Sequence, residues 1–265
     1  DLWSLAALPL ALPEGSYRLD ARGLALQPAA VIIGWGLGAY QFNRYRKPAR
    51  APARLALDLD APGHPEAAAL LRASVLTRDL INTPTEHMGP EQLEAAARGL
   101  AQAHGAQFNS IVGDALISER FPAIHAVGRA SHRAPRLIEL NWGDVSHPRL
   151  AIVGKGVCFD TGGLDMKPAD GMRNMKKDMG GAAHALALAQ LVMARQLPVR
   201  LQLLIPAVEN AVAADAYRPG EVIATRAGLS IEIDNTDAEG RVVLCDALTY
   251  AGESKPDLIM DFATL

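Results

Sequence analysis

The sequence predicts an α/β protein, a mostly parallel twisted sheet flanked by helices. Two observations carry the prediction. Strand-like apolar runs alternate with helix-like apolar spacing, the order that builds parallel sheets covered on both faces. The composition, 49% hydrophobic and 21% charged over 265 residues, is enough to bury a sizeable core.

The elements follow in order. Residues 64–82, HPEAAALLRASVLTRDLIN, space their apolar side chains as a helix and stop at TPTEHMGP. Pro90 suits the first turn of a second helix, EQLEAAARGLAQAH, which Gly105 closes. RLIEL (136–140) and RLAIVG (149–154) read as buried strands separated by a polar loop. GGAAHALALAQLVMARQ (180–196) is an Ala- and Leu-rich helix opened by small residues. LQLLIPAV (201–208), SIEI (230–233) and DLIMDFA (257–263) are further strands, and RVVLCDALTYAGE (241–253) is a helix between the last two. RYRKPARAPAR (44–54) reads as an exposed linker. The chain stops at DFATL, in or just past a strand, and reads as a piece of a longer polypeptide.

Several function classes drop out early. A net charge of −3 gives no reason to expect a nucleic-acid partner, because phosphate binding needs clustered Lys and Arg. No apolar run reaches the roughly 18 residues of a membrane helix. The opening DLWSLAALPLALPEG is apolar but lacks a basic start, and reads as globular sequence rather than a signal peptide. Cys158 and Cys245 have no CxxC partner, which fits a reducing cytoplasm, and both read as small core residues. GxSxG, GxGxxG, the P-loop spacing and HExxH are all missing, and His184 reads as a packed helix residue.

What carries chemistry is acidic. In NTDAEGR (235–241), Asp237, Glu239 and Arg241 alternate; if the stretch is extended, they share one face about 7 Å apart. The row sits at a strand–loop–helix junction, where α/β proteins build sites. A second junction, VGKGVCFDTGGLDMKPADGMRNMKKDMGGAA (153–183), carries Lys155, Asp160, Asp165, Lys167, Asp170, Lys176, Lys177 and Asp178 among glycines that let backbone approach a ligand. Carboxylates repel a phosphate but suit a divalent cation. Asp160, Asp178, Asp237 and Glu239, drawn from the two junctions, are enough for a pair of metals about 3.5–4 Å apart. A dinuclear phosphatase or nuclease would use such a set as well.

VGKGVCFDTGG, MK, MKKDMGGAA and NTDAEGR together resemble the leucyl aminopeptidase family, cytosolic enzymes with two metals. TRDLINTPTEHMGP (77–90), RPGEVI (218–223) and DFATL extend the likeness, which runs from about residue 34 to the end. The resemblance implies a catalytic domain over 55–265 whose carboxy-terminal part is missing. Residues 1–54 become the tail of a smaller amino-terminal α/β domain and its linker. It makes Lys155, Asp160, Asp178, Asp237 and Glu239 metal ligands for two Mn or Zn ions, and Lys167 and Arg241 catalytic cations, with bicarbonate held by Arg241. Met175, Asn235, Ala238, Thr264 and Leu265 match positions lining the substrate's side-chain pocket. It further implies peptide substrates with a free amino terminus, Leu or another apolar residue first, and a cytoplasmic homo-hexamer. Asp165, Asp170, Lys176 and Lys177 receive no role. The competing reading is a DNA-binding or otherwise non-catalytic relative.

Overall fold

The computed structural model describes residues 3–20, 27–56 and 63–264. The chain divides into two units, Asp1–Asp79 and Leu80–Leu265. In the first, a short helix α1 (Leu8–Ala11) and strand β1 (Ser16–Tyr17) precede helix α2 (Pro28–Ala39), strand β2 (Arg54–Leu55) and helix α3 (His64–Asn82), whose last turn lies beyond the division. Proline opens α2 at a position where its missing N–H costs nothing. Trp35 on α2 is buried and donates through Nε1 to the Ala53 carbonyl at 3.0 Å. The expected linker over 44–54 is exposed without a break to residue 49, and beyond it Ala51 and Arg54 are exposed as well. From there Arg50 donates to the Leu12 carbonyl at 2.5 Å, Ala53 is buried, and β2 pairs in parallel with β1.

The second unit holds a six-stranded sheet. Its strands are β3 (Gln107–Val112), β4 (Arg136–Trp142), β5 (Arg149–Gly154), β6 (Gly156–Asp160), β7 (Arg200–Asn210) and β10 (Leu258–Phe262). Their order is β10-β5-β7-β4-β3, and β6 also pairs with β7 beyond the end of β5. β10, β5, β7 and β6 run parallel, whereas β4 is antiparallel to β7 and β3 is antiparallel to β4. The sheet is therefore mixed, more so than the alternating pattern predicts. β3 is only half-buried, and it pairs antiparallel with β4, the next strand in the chain. SIEI is also displaced: β9 (Ser230–Glu232) leaves the main sheet and forms a small antiparallel ribbon with β8 (Val222–Ala224).

Helices cover both faces. α4 (Pro90–His104), ended by Gly105 at φ 65°, packs with α8 (Gly180–Ala194) on one side. α6 (Pro122–Gly128) and α9 (Glu239–Glu253) pack together on the other, against Leu137, Ala151, Val153, Leu204 and Val208. Between α4 and α6 lies α5 (Ala115–Ser118), and before α8 lies α7 (Ala169–Met172). α9 is fastened to α6 by Asp246, whose Oδ2 accepts from the Ala123 and Ile124 amides at the first turn of α6. None of the described helices is long and apolar enough to cross a membrane.

Candidate metal centre

The acidic residues meet where the parallel strands end. Asp160 closes β6, and its Oδ1 accepts from the Gly162 amide and from Asn210 Nδ2, both at 2.8 Å. Asn210, the last residue of β7, turns its other amide hydrogen to the Thr236 carbonyl at 3.0 Å. The two loops are thereby tied together. Thr236, fully buried, also donates through Oγ1 to the Gly162 carbonyl at 2.6 Å and through its backbone N–H to Asp165 Oδ2 at 2.8 Å. The Tyr217 hydroxyl donates to the Thr236 carbonyl at 2.7 Å.

NTDAEGR is not extended. Asn235 Oδ1 accepts from the Asp237 amide at 2.7 Å, residues Thr236–Ala238 form a 3₁₀ turn, and α9 starts at Glu239. An Asn side chain that bonds backbone two residues on starts a turn more readily than a strand. The turn still brings Asp237 and Glu239 to one place: oxygens of Asp160, Asp237 and Glu239 lie within 4.8 Å of one another. Arg241 falls on α9, exposed, rather than on a shared strand face.

Two lysines face these carboxylates. Lys155, 5% exposed, lies 2.9 Å from Asp178 Oδ1 and 2.8 Å from Glu239 Oε1, and donates to the Thr264 carbonyl at 2.9 Å. Gly240 makes room for it, since a Cβ there would lie 2.8 Å from Lys155 Cε. Lys167 lies 3.1 Å from Asp160 Oδ2 and 2.5 Å from Asp237 Oδ1. Burial disfavours both ammonium charges, yet the facing carboxylates outweigh it and hold both lysines above their ordinary pKa. Glu239, 1% exposed, moves the other way for an acid. Burial pushes its carboxyl well above the usual range, Lys155 pulls it back, and Asp160 and Asp178 add repulsion.

Asp160, Asp178, Asp237 and Glu239 against Lys155 and Lys167 leave the pocket two negative charges in excess. Among the described residues, the buried Asp178 Oδ2 has no partner, while the buried Asp237 Oδ1 and Glu239 Oε1 meet only the lysine ammonium groups. Unpaired buried carboxylate oxygens are costly, and a cation is the partner they fit. The donor set, carboxylate oxygens with one amine, suits a divalent ion.

The remaining expected residues are placed unequally. Thr264 belongs to the cluster, donating through Oγ1 to the Asp178 carbonyl at 2.9 Å. Met175 opens the 3₁₀ turn that carries Asp178, and Ala238 precedes Glu239; both are half-buried. Asn235 is exposed and acts on its own turn, and Leu265 lies outside the described residues. Asp165 and Lys176 do have roles. Asp165 holds Thr236, and Lys176 donates to the Asn82 carbonyl at 2.7 Å, so both anchor loops. Asn210, Thr236 and Tyr217 were invisible as site residues, since each works through a partner far away in sequence. His184 is exposed, contrary to the packed reading, with Nδ1 against the Gly180 carbonyl.

Comparison with known proteins adds to this geometry. Residues 75–265 match the model of the cytosol aminopeptidase family, catalytic domain, and residues 1–58 match that of the M17 aminopeptidase N-terminal domain. The chain is 39% identical over 246 residues to a probable cytosol aminopeptidase of Corynebacterium glutamicum, covering 89% of this chain and 49% of that protein. It resembles the crystal structure of a cytosol aminopeptidase from Coxiella burnetii with a TM-score of 0.95 and 51% identity, over 99% of this chain and 57% of the other. The bottromycin maturation enzyme BotP, solved in complex with Mn, matches with a TM-score of 0.87 and 34% identity, over 97% of this chain and 59% of that one. The chain thus spans about half the length of the curated relatives it matches.

Proposed function

We infer, because the chain belongs to the cytosol aminopeptidase family, that it carries the centre of a metal-dependent aminopeptidase. The enzyme removes amino-terminal residues from peptides, Leu and other apolar residues foremost. One observation supports this reading above the rest: buried carboxylates converge with unpaired oxygens and a surplus of negative charge.

Asp160, Asp178, Asp237, Glu239 and Lys155 would hold two divalent ions, Mn or Zn. Lys155 ligates only as the free amine. The proton it shares between Asp178 and Glu239 must leave, and the incoming dication replaces that charge. When bound, such ions supply Lewis acidity that polarises a carbonyl and activates water. Lys167 sits beside Asp160 and Asp237, where its ammonium would stabilise the oxyanion developing on the scissile carbonyl. Arg241 lies in the first turn of α9, where free backbone N–H groups add to its charge, and would hold a bicarbonate ion as proton acceptor. The substrate's free α-amine would also be accepted by ions held on these residues, which sets a preference for chain ends over internal bonds. Met175, Ala238, Thr264 and Leu265 would receive the side chain. The working form we propose is a cytoplasmic homo-hexamer.

The test is chelation of the intact protein, reloading with Mn or Zn, and cleavage of leucyl-p-nitroanilide beside its amino-acetylated form. Metal-restored cleavage of the free-amine substrate alone is expected. Equal cleavage of both, or of neither, overturns the reading.

A further inference from the structure

A second cleft opens at the opposite end of the sheet from the acidic cluster, beneath the carboxyl end of α9. Its volume is about 500 Å³, and Arg149, Arg200, Gln202, Glu139, Asn141 and Trp142 are among its walls. The strand register explains why these residues meet. Arg149 on β5 and Arg200 on β7 are direct partners, and one step along the same face Ala151, Gln202 and Asn141 stand in line. Glu139 follows two residues from Asn141, so it shares that face.

This is a polar patch where a polar patch is not expected. The same face carries Ala151, Val153, Leu204 and Leu137 into the core under α6 and α9, and a covered sheet face is ordinarily apolar. Its charges are also arranged at a cost. Two guanidinium-bearing residues directly opposite one another repel. Arg149 bonds the Ser254 carbonyl, and the Asp257 carboxylate bonds the Arg149 backbone amide rather than its guanidinium. Among the described residues, the Arg200 side chain has no carboxylate partner. Toward the interior the patch turns acceptor-rich. Glu139, 8% exposed, accepts from Asn141 Nδ2 at 3.0 Å and Gln202 Nε2 at 2.8 Å, both on Oε1. Among the described residues, its Oε2 receives only the Tyr250 hydroxyl, at 3.3 Å, and the buried Gln202 Oε1 receives nothing.

A paired cationic rim above a buried carboxylate and an unpaired amide oxygen complements a small zwitterion. We propose that this cleft binds a free α-amino acid, with its carboxylate on Arg149 and Arg200 and its ammonium on Glu139 and Gln202 Oε1. Charge-assisted contacts of both signs fit that molecule and no simple anion. Ala151 leaves space in the middle of the patch, and Trp142 offers an apolar wall for the side chain. The site stands apart from the aminopeptidase reading, although a peptidase that releases amino acids would fill it with its own product.

Titration of L-leucine into the intact protein, followed by tryptophan fluorescence, tests the site because Trp142 lines it. A saturable change is expected, weakened at least about tenfold in R200Q, which removes one charge-assisted partner. Arg200 is exposed, so the variant folds. Leucinamide, without the carboxylate, and N-acetyl-leucine, without the ammonium, should both bind more weakly than leucine. Equal affinity in R200Q and wild type, no saturable change in wild type, or N-acetyl-leucine binding as tightly as leucine would each overturn the proposal. Cleavage of leucyl-p-nitroanilide by R200Q is expected to be unchanged. Turnover without leucine binding therefore removes this site and leaves the catalytic reading standing, and binding without turnover does the reverse.

Discussion

Two buried carboxylates, Glu94 on α4 and the more deeply buried Glu239 on α9, are shifted in opposite directions from their ordinary value. Glu94 accepts from Arg98 at 2.5 Å, Arg136 at 2.6 Å and Ser110 at 3.0 Å. Burial raises its pKa, but Arg136 and Arg98 more than reverse that, and the carboxyl titrates below its ordinary value. Glu239 also has a cation, Lys155 at 2.8 Å, yet it shares that cation with Asp178 and faces Asp160 as well. Burial then wins. Deeper burial and a smaller local supply of positive charge together separate Glu239 from Glu94, so a fold completes its structural ion pairs and leaves its acidic cluster short of counter-charge.

Four experiments would break or sharpen that contrast. The largest effect is expected from K167A, which should lower kcat by about 10²–10³-fold at saturating metal, the range for losing one oxyanion-stabilising group. An unchanged kcat would remove Lys167 from the chemistry. Next, E94Q should cost about 3 kcal/mol in urea unfolding, because it leaves the Arg136 charge buried without its carboxylate. The pH dependence has the same origin. A depressed carboxylate stabilises the fold above its unfolded value of 4.5, and that stability is lost as pH falls through the lower folded value. Wild type should therefore lose stability on acidification below 4.5 more steeply than E94Q. Third, Mn or Zn at 100 times its dissociation constant should stabilise the intact protein by about 2.7 kcal/mol, a gain that D178A loses. The smallest effect is predicted for E239Q without metal, which should melt at or slightly above wild type because it relieves repulsion. A loss the size of that in E94Q would erase the distinction.

Much of this was legible in the sequence. The helices at 64–82 and 90–104 were both legible, the second because Pro90 and Gly105 mark its ends by backbone chemistry. The acidic residues were legible because they sit at strand-to-helix junctions. Their arrangement was not: the alternation in NTDAEGR imitates a strand, and only the Asn235 side chain bonding back to Asp237 reveals the turn. Asp165 looked like loop charge since its partner Thr236 is 71 residues away. The Glu94–Arg136 pair spans 42 residues and left no local signal either. Strand β6 follows β5 after a single residue, which hid it inside what reads as one glycine-rich loop.

Lys155 gives the centre a clock. Its bond to the Thr264 carbonyl crosses 109 positions. A ribosome adding about 5–20 residues per second needs roughly 5–20 s to cover that distance. For most of that interval the nascent chain already holds Lys155, Asp160 and Asp178, yet it lacks the carbonyl that fixes the lysine. The carbonyl that holds the lysine is thus supplied long after Asp178, an acidic residue it lies beside.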